Sequence, residues 1–246
     1  MILVDSHSII IRYFFALRED HNKLPSMFLF LLERLWKKYE SHFVFFFDEC
    51  TNNFRNKLYP EYKGNRKSMN PMVYSYINLI KQSVQEVKFP VFGSDVYEAD
   101  DLIGSFATQY GGGLILSTDK DLLQLVNDKI KVLNPFKKEL FDQQKVYEKY
   151  KVLPDDLALY FAIVGDSSDN IPGVKGYGPK RTLSLFQNPE VKQQLYETLE
   201  NGLSLTRIVT NISLQVYGEE FFTNSTEKLS QLKNIIGGDI NDILSR

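Results

Sequence analysis

The sequence predicts an α/β fold, a mainly parallel sheet flanked by helices, followed by a helical C-terminal region. Three observations point there. Short apolar runs, ILVD (2–5), HFVFFFD (42–48), FPVF (89–92), GLILS (113–117) and KIKVL (129–133), alternate with longer segments of helical period. HFVFFFD is apolar without alternation, as a strand covered on both faces requires. Carboxylates follow several of these runs, at the strand ends where open α/β sheets carry their ligands.

In chain order, the strand at 2–5 leads into a helix around 8–18. Residues 26–40, SMFLFLLERLWKKYE, are an amphipathic helix with Ser26 as its cap. After the strand at 42–48, residues 49–70 are polar, basic and aromatic. Pro71 suits the first turn of a helix running to about 87. A helix is expected at 98–110 and another at 119–126. FKKELF (136–141) reads as a turn and a short strand, and the chain from 143 onward is mostly helical. This divides it into an α/β unit over 1–140 and a helical region over 141–246.

The 246 residues, 43% apolar and 24% charged, suffice for one large domain and exclude a disordered chain. No run of 18 apolar residues is present, so no membrane helix is expected. The N-terminus lacks a basic region and a small-residue cleavage site, which argues against a signal peptide. The single cysteine, Cys50, excludes an internal disulfide and a cysteine-based zinc site, and a cytoplasmic monomer is the default. The triplets at Asn211 and Asn224 are then chance matches to a glycosylation signal. Net charge is −2, but it is unevenly spread: Arg55, Lys57, Lys63, Arg66 and Lys67 stand against one acid, Glu61, between 55 and 67.

Nine acidic residues form the candidate site: Asp5, Asp48, Glu98, Asp100, Asp101, Asp119, Asp121, Asp166 and Asp169. Carboxylates at the ends of buried strands are unfavourable unless a cation sits between them, and hard divalent metals take oxygen ligands. Glu98 and Asp101 share a helix face. Each group has a simpler reading as well. First-turn acids answer the helix dipole, Asp119 and Asp5 suit helix caps, Asp48 suits a turn, and GDSSDN is turn-forming. Those readings do not explain the whole set.

IPGVKGYGPKRT (171–182) orders Gly173, Gly176 and Gly178 before Pro179 and carries Lys175, Lys180 and Arg181. No strand precedes it, so it is not a dinucleotide fingerprint. It reads as helix, glycine turn, helix, with backbone N–H groups and cations offered to a phosphate. FRNKLYPEYKGNRK (54–67) interleaves Phe54, Tyr59 and Tyr62 with cations, as single-stranded or frayed nucleic acid needs, although a solvated basic loop has the same composition. His7, His21 and His42 lack a nucleophile partner, and no nucleophile elbow or P-loop is present.

Together, LVD (3–5), FFFD (45–48), LYPEYKGNR (58–66), YEADDLIG (97–104), STDKDLLQL (117–125) and GDSSDNIPGVKGYGPK (165–180) resemble the 5′-nuclease family of flap endonucleases and 5′–3′ exonucleases. The resemblance runs to about residue 186. It implies a PIN-like sheet over 1–140 with an arch segment around 54–75, and a helix–three-turn–helix DNA-binding motif at about 160–186. It implies two Mg²⁺ ions, replaceable by Mn²⁺. Asp5, Asp48, Glu98, Asp100 and Asp119 would form or support the first site, and Asp101, Asp121, Asp166 and Asp169 the second or its water shell. Lys63 and Arg66 match catalytic cations facing the scissile phosphate. Tyr62 matches a position that stacks on a terminal base pair. Arg55, Lys67 and the glycines and cations of 173–181 would bind DNA, with K⁺ on the turn's carbonyls. The implied activity is metal-dependent hydrolysis of DNA at flaps and 5′ ends in replication and repair. Its setting is the cytoplasm of a bacterial cell or phage-infected host, with branched or 5′-ended duplex DNA and a separate polymerase as partners. The alternatives are a DNA-junction binding protein with weak catalysis and a PIN-type ribonuclease. The short stretch from Arg66 to Pro71 departs from the family and implies a small arch.

Overall fold

The computed structural model describes residues 1–50, 53–66, 68–216 and 225–236. The first half contains β1 (Ile2–Asp5), α1 (Ser6–Leu17), α2 (Leu24–Tyr39), β2 (Phe43–Asp48), α3 (Phe54–Leu58), α4 (Pro71–Glu86), β3 (Val91–Ser94) and α5 (Ala99–Gln109). It continues with β4 (Gly113–Leu116), β5 (Ile130–Asn134), β6 (Glu139–Phe141), α6 (Gln143–Tyr150), α7 (Leu157–Val164), α8 (Pro179–Phe186), α9 (Pro189–Thr198), α10 (Glu200–Thr206) and α11 (Ser225–Ile236). Short 3₁₀ turns lie at His21–Lys23, Asp121–Leu125 and Pro154–Asp156.

The six strands form one sheet in the order β3-β2-β1-β4-β5-β6. β1 to β5 are parallel and β6 is antiparallel to β5. The period-2 geometry of a strand explains the run of phenylalanines. Phe43, Phe45 and Phe47 join Ile2 and Val4 beneath α1, α2, α4 and α11. Val44 and Phe46 join Leu3 and Ile115 on the other face, against α5, α6 and α7. Both faces are covered at β1 and β2, so these central strands are apolar at every position before their terminal Asp. The second cluster crosses residue 140, since Val146, Leu157, Tyr160 and Phe161 pack with Leu3 and Phe46. Among the described residues, no helix is long and apolar enough to cross a membrane.

Several expected boundaries shift. α2 starts at Leu24, with Pro25 in its first turn, so Ser26 lies inside the helix and caps nothing. The strand expected at 89–92 is Val91–Ser94, because Phe89 N–H still closes the end of α4 on the Val84 carbonyl at 3.0 Å. The helix expected at 119–126 is a 3₁₀ turn over Asp121–Leu125. Asp119 Oδ1 accepts from Asp121 N–H at 2.9 Å, an Asx turn that starts the segment tightly. Lys67, Asn224 and the residues after 236 lie outside the described residues.

α7 ends at Gly165, with φ 85°, and the chain folds back through an antiparallel bridge between Asp166 and Ile171. Gly173, φ 69°, sits so close that an added Cβ would lie 2.5 Å from Gly165 N and 2.7 Å from the Ile163 carbonyl oxygen. Gly173→Ala therefore combines a left-handed backbone with a backbone clash. We expect a loss of about 2 kcal/mol or more in urea unfolding; a variant as stable as the parent would show that the loop relaxes freely.

Candidate metal centre

The chain runs outward from β1 through β2 to β3, then returns to β4 on β1's other side, so the connections reverse between β1 and β4. Such a switch point opens a crevice at the strands' carboxyl ends. β1 ends there in Asp5, β2 in Asp48, and β4 leads into Ser117 and Asp119. The first turn of α5 supplies Glu98 at the cap, then Asp100 and Asp101.

Asp5 caps α1, accepting from Ser8 N–H at 3.3 Å, and also accepts from the Ser117 hydroxyl. Burial raises its pKa against those bonds, and Asp119's charge adds to the rise. Asp100 is raised well above the carboxylate range, by burial and then by Asp119 and Asp5. Asp48 is pushed up to about 6, by burial and then by Glu98. Its backbone N–H donates to His7 Nδ1 at 3.0 Å, and burial pulls that imidazole down to about 4, keeping it a neutral acceptor. Asp48 Oδ1 is buried with no hydrogen-bond partner. A buried carboxylate oxygen without a donor, among other carboxylates, is what a cation site leaves when only the protein is considered.

A second group lies beside the first. Asp121, Asp166 and Asp169 each offer an oxygen within 4.8 Å of the others. Asp121 is pushed up to about 8, by burial and then by Asp119 and Asp169. Asp166 is held below its usual value: burial opposes this, but bonds from Lys120 (2.7 Å) and from Ser168 outweigh it. Arg66 Nη2 reaches Asp169 Oδ1 at 2.6 Å. Lys63 joins the two groups, pairing with Glu98 and standing 3.9 Å from Asp169. The loop carrying these cations is seated on the Asp166–Asn170 loop. Lys63, at φ 56°, donates its N–H to the Asp169 carbonyl at 2.9 Å, and Asn65 and Asn170 add cross-bonds.

Three assignments change. Asp101 is fully buried and both its oxygens are taken by Arg55, at 2.7 and 2.8 Å; Oδ1 also accepts from Val209 N–H. It neutralises a guanidinium and has no oxygen directed at a metal. Arg55, 3% exposed, also donates to Glu98 and the Arg207 carbonyl, so it is an internal strut and does not reach DNA. Tyr62, 4% exposed, lies with its hydroxyl between Glu98 (3.1 Å) and Asp169 (3.3 Å), so its ring presents no face to a base pair. Lys63 and Arg66 do lie at the site. Lys175, Lys180 and Arg181 are exposed on the turn and start of α8. Ser8, Ser117, Lys120 and His7 were not assigned from sequence; SHS after a strand and ST before Asp119 are the only traces they left.

Two outcomes follow. Arg55→Ala leaves Asp101 buried and unpaired, which costs about 3–5 kcal/mol in urea unfolding; an unchanged midpoint would mean that the pair contributes nothing. The pKa values of Asp48 and Asp121 stand above the unfolded carboxylate value of about 3.9. Between the unfolded and folded pKa values the folded chain holds more protons, so this contribution is full at low pH and is lost as pH rises to about 8. The melting temperature in EDTA should fall across that window, and the gain from added Mg²⁺ should grow with pH. A gain independent of pH would separate the ion from these carboxyls.

Residues 1–151 match the family described as 5'-3' exonuclease, N-terminal resolvase-like domain. The chain is 37% identical over 186 residues to a 5'-3' exonuclease of Buchnera aphidicola (subsp. Schizaphis graminum), covering 73% of this chain and 65% of that protein. It is 29% identical over 244 residues to a 5'-3' exonuclease of Aquifex aeolicus, covering 89% and 84%. DNA polymerase I of Chloroflexus aurantiacus is 35% identical over 219 residues, which cover 81% of this chain but 23% of the polymerase. The matched region is thus less than two thirds of the Buchnera protein and under a quarter of the polymerase. Among solved structures, the T5 5'-exonuclease with bound zinc ions superposes with TM-score 0.71 at 21% identity, covering 100% of this chain and 98% of that one. The catalytic core of Rad2 in complex with a DNA substrate superposes with TM-score 0.59 at 15% identity, covering 99% and 90%. At these identities the two structures establish the fold alone, a mainly parallel sheet between helices. With the family match spanning the sheet and every strand-end carboxylate, the chain belongs to the 5'-3' exonuclease family.

Proposed function

We propose that this chain is a structure-specific, divalent-metal-dependent 5′-nuclease that hydrolyses DNA phosphodiesters at flaps and 5′ ends in replication and repair. The observation that carries this is the meeting of two carboxylate groups at one sheet edge, with Asp48 Oδ1 buried and without a donor. The donors are all oxygens, which fits Mg²⁺, with Mn²⁺ as substitute. Asp5, Asp48, Glu98, Asp100 and Asp119 would hold one ion, and Asp121, Asp166 and Asp169 the other. Bound there, such ions supply Lewis acidity and a lowered pKa for an attacking water.

The chain's own residues do the rest. Glu98 and Asp169 hold Lys63 and Arg66 at the site. A phosphodiester entering between the two carboxylate groups would take over those cations, which then face the charge on its phosphoryl oxygens. Ser117 and Ser8 fix the rotamer of Asp5, and Arg55 fixes Glu98. On the turn, Lys175, Lys180 and Arg181 supply charge for a duplex backbone. Gly178 has open space around its Cβ position, so a phosphate can approach the N-terminus of α8 closely. Arg181 Nη1 already reaches the Gly176 carbonyl at 3.4 Å. A K⁺ on the turn's carbonyls would share the Gly176 oxygen with this guanidinium. The polymerase I match supports a link to a polymerase.

The test is cleavage of a 5′-labelled flap duplex in Mg²⁺, Mn²⁺ or EDTA, beside Asp119→Ala and Asp166→Ala. We expect metal-dependent cuts near the junction, reduced in both variants by more than the hundredfold or so that a lost outer partner costs, with circular dichroism unchanged. Binding without cuts in either metal would give the junction-binding reading the lead. A preference for RNA over DNA would shift the substrate class.

A further inference from the structure

A further cationic region lies away from Lys63 and Arg66 and from the turn at 173–181. A cleft of about 240 Å³, lined at one end by Asp119, opens where the ends of β4 and β5 meet β6 and α6. Its floor is apolar, with Leu123, Val132 and Phe141, and its walls carry Lys120, Lys137, Lys149 and Tyr150. The cations at the acidic site are all neutralised: Arg55 by Asp101, Lys63 by Glu98, Arg66 by Asp169 and Lys120 by Asp166. Lys137 and Lys149 differ. Among the described residues neither forms an ion pair, although Glu139 shares the cleft.

Lys149 is also held in place. Its ammonium lies 5.0 Å from the Phe141 ring and 5.2 Å from the Tyr150 ring. A cation fixed over two aromatic faces has lost part of the freedom that a surface lysine keeps. Burial, then the like charge of Lys137, lowers its pKa, and Glu139 offsets this only in part. The cleft opens next to Asp119, so a strand that presents one phosphodiester to the carboxylates carries a neighbouring one toward these lysines.

We propose that this cleft is a phosphate-ester subsite, in which Lys137 and Lys149 bind a phosphate of the DNA strand adjacent to the one at the carboxylates and Tyr150 contacts its sugar or base. The inference rests on the nuclease reading for its ligand. A released 5′-mononucleotide offers the same chemistry, and the experiment separates the two sources.

The test measures binding without turnover. Fluorescence anisotropy of a labelled 5′-flap duplex in EDTA compares the parent with a Lys137→Ala/Lys149→Ala double variant and with a control, Lys37→Ala/Lys38→Ala, at the end of α2. In parallel, calorimetry titrates each protein with 5′-dAMP. At about 0.1 M salt each lost phosphate contact weakens binding roughly tenfold, because each adds about 0.9 to the salt exponent. The double variant removes that one phosphate contact, so it should lose affinity about tenfold and lower the salt slope by about one, while the control and the melting temperatures stay unchanged. Unchanged DNA binding with lost dAMP binding would keep the site and reassign its ligand to the free nucleotide. Wild-type values in both assays would overturn the proposal. A parent protein that binds no flap DNA would refute the nuclease reading instead, and the dAMP arm alone would then decide the cleft.

Discussion

Repulsion among carboxylates gathered at one end of a buried sheet is the constraint on which the rest of the structure depends. Two unit charges 4 Å apart at an effective dielectric of 20 oppose each other by about 4 kcal/mol. Three devices answer this. Arg55, Lys63, Arg66 and Lys120 each take one or more acids. Asp5, Asp48, Asp100 and Asp121 shift toward protonation. The apolar strands, packed on both faces, keep the backbone from moving apart to relieve the remaining strain.

Lys63 and Arg66 are held by two loops that need each other. Residues 59–66 and 165–171 exchange backbone and side-chain bonds, and neither belongs to the sheet. Their mutual seating puts Lys63 and Arg66 between the two carboxylate groups. Strand ends thus place Asp5 and Asp48, the first turn of α5 places Glu98 and Asp100, and the docked loops bring Lys63 and Arg66 onto Asp169.

The sheet was legible in the sequence because its period is local: a strand covered on both faces must be apolar along its length, and FVFFF (43–47) is. The strand-end acids were legible for the same reason. Boundaries that depend on hydrogen bonds, such as the late start of β3 and the 3₁₀ turn after Asp119, were not, because the bond that decides them competes with the neighbouring element. The roles of Arg55, Asp101 and Tyr62 were misread for a different reason. A basic, aromatic stretch looks the same whether its side chains face solvent or an acid more than thirty positions away. Only the folded chain shows that Arg55 meets Asp101, and that Tyr62 meets Glu98 and Asp169. Composition marked the segment as cationic, but burial decided which cation serves the interior.

The segment after α10 has a consequence for how the molecule is made. Val209 N–H completes the partners of Asp101, the Arg207 carbonyl completes those of Arg55, and Ser105 is bonded to Val209 and Ile212. A ribosome delivers residues in order. A nascent chain that has left the exit tunnel only as far as β6 has all six strands and most of the acids, but not the backbone groups that finish the buried Arg55–Asp101 pair. The acidic edge is therefore assembled early and completed late, and the last part to arrive is a stretch of backbone that contributes no carboxylate of its own.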